Sequence, residues 1–104
     1  MTRRAVPNVE IDAYVIDTLM ADLVGHDRQP SAFLVYLWLS RRTLGSGEPS
    51  AQVSLTDIAS ATGLSKRAIQ EALNWLGKRR LISVQRASIT AVPVYAVKRP
   101  WIRG

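Results

Sequence analysis

From Ser65 to Lys78 the chain runs Ser-Lys-Arg-Ala-Ile-Gln-Glu-Ala-Leu-Asn-Trp-Leu-Gly-Lys. At about 100° per residue, Ala68, Ile69, Ala72, Leu73 and Leu76 share one face of a helix. The other face carries Arg67, Gln70, Glu71, Asn74 and Lys78, with Lys66 at its N-terminal edge. These types suit the reading of base edges: arginine offers a donor fork to guanine, while glutamine or asparagine matches the donor and acceptor of adenine. The lysines suit phosphates, which position a protein without reading sequence. A helix that merely faces solvent more often carries Glu and Lys pairs, so this face predicts contact with nucleic acid.

Other chemistries are poorly supplied. His26 and Asp27 adjoin in a polar connector with neither a nucleophile nor a second ligand beside them in sequence, and a surface or structural role is expected. No serine has a supporting base and no phosphate-cradling glycine loop occurs. Cysteine is absent, which removes thiol nucleophiles, disulfides and thiolate-bound metals and agrees with a reducing, cytoplasmic setting. The expectation is a protein that is not an enzyme and that uses no metal or other cofactor. Trp38, Trp75 and Trp101 lie among basic residues, a pattern also found in platforms for single-stranded bases. Trp38 and Trp75 have apolar neighbours at helical spacing, which points to core or interface packing.

Charge localises the candidate site. The 104 residues carry 14 Lys and Arg against 8 Asp and Glu, a net +6, with an isoelectric point near 10.5. Residues 1–50 hold five basic and six acidic residues, a balance of −1; residues 51–104 hold nine basic residues against only Asp57 and Glu71, a balance of +7. A polyanion site therefore belongs in the second half.

The elements that must position this face are legible around it. At 47% hydrophobic and 21% charged, the chain has an ordinary globular composition and the length of one domain. Residues 1–8 read as a loose arm. Asp12 is placed to cap a helix over 12–24, with Gly25 as its stop, Ile11 and Ile16 as a hydrophobic staple, and Val15, Ile16, Leu19, Met20 and Leu23 on its buried face. Pro30-Ser31 opens a second helix that is apolar on every side from Ala32 to Leu39, hence central or shared with a second subunit. That run is too short to cross a bilayer, and no apolar signal segment follows the basic Met1-Thr2-Arg3-Arg4, so a soluble intracellular protein is expected. Arg41-Arg42 fit either a helix dipole or a phosphate. Gln52-Val53-Ser54 suits one short strand.

Ser54 and Asp57 form a loose capping box for a short helix that Thr62-Gly63 ends, and Ser65 caps the next after a tight turn. Small Ala59 lets the two helices cross closely, and Gly63 accepts a positive φ at little cost. This is a helix-turn-helix. Beyond it, Leu81–Arg86 and Val92–Val97 are β-rich runs joined by Ala87–Ala91, predicting a hairpin whose returning strand, led by Pro93, lies at an edge. Lys98–Arg103 forms a basic-aromatic tail that fits three roles: packing back on the N-terminal helix, anchoring a dimer or following a DNA backbone.

Through Leu55-Thr56-Asp57-Ile58-Ala59, Gly63-Leu64-Ser65, Lys66-Arg67, Ile69, Leu73, Leu76 and Leu81-Ile82, the chain resembles the bacterial winged helix-turn-helix proteins. That superfamily includes transcription regulators and the DNA-binding domains of plasmid and phage replication initiators. The resemblance implies a mainly helical α+β domain over 31–97, a three-helix core with a β-hairpin wing, to which this chain adds the helix at 12–24. It implies a recognition helix over about 65–79 in the major groove. Carried over by position, Ser65 and Lys66 hold phosphates, Arg67, Gln70 and Asn74 face bases, and Lys78 and Arg86 flank them. Arg80 stands where many relatives have glycine, so the recognition helix is expected to end by another route, near Gly77; Arg86 is the one basic residue near the wing tip.

The expected partner is double-stranded DNA, bound by a transcription regulator without a small-molecule effector, since 104 residues leave no room for an effector domain. A homodimer would set two recognition helices about 34 Å apart. Alternatives are a replication or plasmid-maintenance role, and a winged-helix module that docks protein instead of DNA.

Overall fold

The computed structural model describes residues 6–102. Arg3, Arg4 and most of the arm, together with Arg103 of the tail, lie outside them. The chain folds as a mainly helical α+β unit. An N-terminal helix over 13–26 precedes α1 (Pro30–Arg42), β1 (Ala51–Gln52), α2 (Leu55–Thr62), α3 (Lys66–Lys78), β2 (Ile82–Gln85) and β3 (Val94–Val97). The three strands form one antiparallel sheet in the order β1-β3-β2. Tyr95 of β3 pairs with both Ala51 and Val84. No helix among the described residues is long and apolar enough to cross a membrane.

Helix α1 is the axle. Pro30 occupies its first turn, where a missing N–H costs nothing. Ala32, Val35, Tyr36 and Leu39 are fully buried, joined in the core by Leu23, Val53, Ile58, Ile69 and Leu76. Tyr36 carries a hydroxyl into this apolar interior and satisfies it by donating to the Lys98 carbonyl at 2.9 Å. That bond ties the axle to the segment leaving β3. Burial raises the Tyr36 phenol far above its ordinary range, so it stays a neutral donor. Leu34 is an exception to the all-round burial expected of this helix and is 47% exposed.

The N-terminal helix departs most from expectation. Its segments Val15–Leu19 and Ala21–His26 are π-helical, with i→i+5 bonds such as Met20 N–H to Val15 O and Asp27 N–H to Asp22 O at 2.8 Å. The wider turn brings residues four apart into line. Val15, Leu19 and Leu23 form the buried edge, whereas Ile16 and Met20, expected inward on α-helical periodicity, are exposed. Ile11 is also exposed, so the predicted staple does not shield it. Gly25 does not stop the helix, which runs through it to His26. Asp12 does not cap with its side chain, because its carboxylate accepts from the Trp101 indole at 2.9 Å and from Arg99 at 3.4 Å.

In the sheet, β1 starts one residue earlier than predicted and covers only Ala51–Gln52, without Val53 and Ser54. β3 is central, not an edge strand as Pro93 suggested. Pro93 lies just before the paired residues, where no ladder N–H is required of it, and its carbonyl accepts from Val53 N–H at 3.3 Å.

Candidate nucleic-acid interface

Local chemistry sets the pitch of α3. Ser54 Oγ accepts from Asp57 N–H while the Asp57 carboxylate accepts from Ser54 N–H, completing the predicted capping box. Those bonds hold the Asp57 carboxyl below its ordinary range. Gly63 takes φ +78° at the end of α2. Thr62 Oγ1 donates to Ile58 O and accepts from Leu64 N–H, closing the turn. Ser65 then caps α3 by accepting from Ala68 N–H at 3.1 Å. Its hydroxyl hydrogen is not consumed by this bond, so it can still donate to a phosphate oxygen.

Ile69, Ala72, Leu73 and Leu76 bury the inner face of α3, while Lys66, Arg67, Gln70, Glu71, Asn74 and Lys78 are exposed. Arg67 makes one weak ion pair, Nε to Glu71 at 3.4 Å, with 90% of its side chain in solvent. A pair so exposed contributes little and yields readily to a phosphate or base. Gln70 and Asn74 line a cleft of about 260 Å³ with Leu55, Leu73, Val84, Arg86 and Tyr95. The cleft unites the middle of α3 with β2 and the residue after it. Lys78 is not among these residues. It lies twelve positions from Lys66, roughly 18 Å along the axis at 1.5 Å per residue.

Arg86 donates to Ile89 O at 3.4 Å within the hairpin loop. That loop also exposes Ile89, at 91%. Burial raises the Tyr95 phenol despite Arg86 nearby, leaving a neutral ring on the cleft wall.

The far end of α3 contains what the sequence did not reveal. Arg80 itself adopts the left-handed conformation at φ +58°. Its N–H donates to Gly77 O at 3.0 Å and Leu81 N–H donates to Leu76 O at 2.9 Å, the two bonds of a Schellman motif. The helix therefore ends at Lys78, one residue past Gly77 and close to where it is expected to end, but by the left-handed turn usually left to glycine, which Arg80 itself supplies, and not by another route.

One turn earlier, Trp75 Nε1 donates to Asp27 Oδ2 at 2.9 Å, and Arg79 Nε lies 3.4 Å from the same oxygen. His26 Nδ1 lies 2.9 Å from Asp27 Oδ1. Burial of this carboxylate, 3% exposed, would raise its pKa. The His26 and Trp75 hydrogen bonds and the Arg79 charge outweigh that and lower it. Asp27 thus joins the N-terminal helix to α3. No local signal pairs residues 48 positions apart.

The tryptophans divide by the same rule. Trp38 packs against the core with Arg42 lying 5.7 Å over its ring. Trp101 stacks on Tyr14 at 4.6 Å and bonds Asp12, which takes the first of the three roles open to the tail, packing back on the N-terminal helix. Among the described residues no three His, Asp or Glu side chains gather as a metal site requires. Compared with known protein families, curated proteins and solved structures, the chain matches none.

Proposed function

We propose that this chain is a winged helix-turn-helix protein that binds double-stranded DNA through α3 and acts as a transcription regulator. The observation that carries the reading is the outer face of α3. Lys66, Arg67, Gln70 and Asn74 stand exposed on a helix whose other face is buried, and Glu71 is the one acidic residue among them. The element order supports it, with a helix and a short strand before the helix pair and a two-stranded hairpin after it.

In this reading Ser65 and Lys66 bind phosphate at the start of α3. Arg67 exchanges Glu71 for a guanine edge or a phosphate. Gln70 and Asn74 address bases, and Arg86 meets the backbone beside the cleft. Lys78 contacts phosphate at the opposite end of the helix. No cofactor enters the scheme.

The test is fluorescence anisotropy with random duplex DNA across a salt series. Contact with four to six phosphates gives a log-log slope of about −4 to −5. Absence of binding at low salt overturns the DNA reading and favours a module that docks protein. Capture and sequencing of bound genomic DNA then separates promoters from replication origins.

A further inference from the structure

Two residues at the end of α3 are the reverse of what the helix alone calls for. Gly77 stands inside the last turn without a positive φ, and a Cβ built on it would meet no atom within 4 Å outside its own stretch of helix. Neither backbone conformation nor packing in the chain requires a glycine there, and glycine weakens a helix relative to alanine. Three residues on, Arg80 takes the left-handed conformation that glycine adopts at less cost. The helix dipole does not call for this arginine, since Lys78 already places a cation in the last turn. Strain of this kind collects where a side chain serves a site.

Both residues line one cleft. It has a volume of about 460 Å³ and lies between the end of α3, the start of β2 and the segment leaving β3. Ile82 is buried at its base, and Arg80, Lys98 and Pro100 stand exposed around it. Arg99 also lines it while holding Asp12 at 3.4 Å. No carboxylate lines the cleft, and among the described residues Arg80 and Lys98 belong to no ion pair. Their backbones are fixed. The Schellman bonds hold Arg80, while Lys98 N–H donates to Leu81 O at 2.8 Å and its carbonyl accepts from Tyr36 at 2.9 Å.

We propose that this cleft binds a small amphipathic anion, a carboxylate carried on a compact apolar body. Arg80 presents a planar donor fork that matches a carboxylate, and Lys98 adds a second positive charge. The apolar body lies against Ile82 and Pro100 and over the bare helix at Gly77, where a side chain would take up the space. Small-ligand sites typically enclose about 300–1,000 Å³ and combine apolar walls with a few placed polar groups. Cations alone would suit inorganic phosphate or a DNA backbone equally well; the apolar walls select a ligand with a body. A cleft in the fold itself needs no separate effector domain, contrary to the expectation from chain length. It shares no residue with the proposed DNA contacts, so it does not rest on that reading.

The probe is benzoate, titrated into isotope-labelled protein with amide chemical shifts as the readout. Saturable shifts centred on Gly77, Ile82 and Ser83 are expected, with a Kd of about 5 mM or tighter for so small a ligand. Benzyl alcohol lacks the charge and inorganic phosphate lacks the body, and each should bind more weakly by about tenfold or more. Arg80→Gly and Gly77→Leu should each weaken benzoate binding by about tenfold or more. Both should melt at or above the wild-type temperature, the first by removing a left-handed arginine and the second by replacing a helical glycine. Absence of saturable shifts at the cleft, phosphate binding as tight as benzoate, or undiminished affinity in Arg80→Gly would each overturn the proposal. Arg67→Glu, on the outer face of α3, should bind benzoate as wild type does, and a loss there would reduce the effect to net charge and overturn it as well. Benzoate titration and the DNA salt series thus fail independently.

Discussion

The two halves of the molecule bury similar side chains but leave different surfaces. The N-terminal helix and α1 expose apolar residues such as Ile16, Met20 and Leu34 on a nearly neutral background. Helix α3 exposes polar and cationic residues and buries its apolar side almost completely. Beyond the apolar core that α1 shares with α2 and α3, the halves are tied by polar contacts in which charge meets charge or indole. Arg79 and Trp75 meet Asp27, and Arg99 and Trp101 meet Asp12. A net charge is therefore a poor measure of what is free to bind, since among the described residues Arg79 and Arg99 of the second half are already held by acids of the first.

That contrast is sharpest under charge reversal on α3. Arg67→Glu should reduce DNA affinity by about a hundredfold, roughly 2.7 kcal/mol, in anisotropy titrations. Its melting temperature should hardly change, because Arg67 contacts only solvent and Glu71. Equal affinity for both proteins would show that the outer face of α3 does not meet DNA.

The converse effect is expected at the junction. Asp27→Ala strands the Trp75 indole N–H and the Arg79 guanidinium, and should cost about 2 kcal/mol of unfolding free energy in urea. DNA affinity of the folded protein should change by less than about threefold, roughly 0.6 kcal/mol. A large loss of affinity with no loss of stability would place the junction inside the binding site.

Acid should narrow the difference between these two proteins. The Asp27 carboxyl is depressed below 3.8 in the fold. Its contribution to stability is therefore present above that value and is lost as pH falls through the lower folded value. Thermal melts from about pH 6 to pH 2 should show the gap between wild type and Asp27→Ala closing only below pH ~4. A gap independent of pH would mean that the charge on Asp27 does not support the junction.

The smallest effect concerns the end of α3. Arg80→Gly relieves a left-handed arginine and should raise stability by about 0.5–1 kcal/mol. Any accompanying loss of DNA affinity would give the Arg80 side chain a role that its backbone geometry disfavours.

Legibility in the sequence followed the range of the interactions. The box at Ser54 and Asp57, the turn at Gly63 and the cap at Ser65 each depend on residues within a few positions, and each occurs as predicted. The burial of Ile69, Ala72, Leu73 and Leu76 follows from helical periodicity, and with it the exposure of every candidate on the opposite face. The cleft joining Gln70 and Asn74 to Arg86 was only partly legible. Residue type and spacing point to both sides, but the wall of Leu55, Val84 and Tyr95 between them depends on how the sheet packs.

The first helix departs from expectation for a related reason. Asp12 has the right residue type for a cap, yet a carboxylate accepts a stronger set of donors when an indole and a guanidinium arrive from the other end of the chain. Pro93 does not make β3 an edge strand because it stands before the first paired residue, where its missing N–H does not matter.

By itself, then, the sequence determined which helix presents a mixed polar face, where the excess positive charge lies and how the turn before that helix is closed. Each follows from local periodicity, composition or hydrogen bonds between near neighbours. The tertiary structure alone decided that Asp12 and Asp27 become acceptors for distant indoles and arginines, that Arg80 supplies the left-handed turn, and that Ile16, Met20 and Val24 face outward. These depend on which groups meet when the core closes, and on a helical pitch that shifts the face each residue occupies.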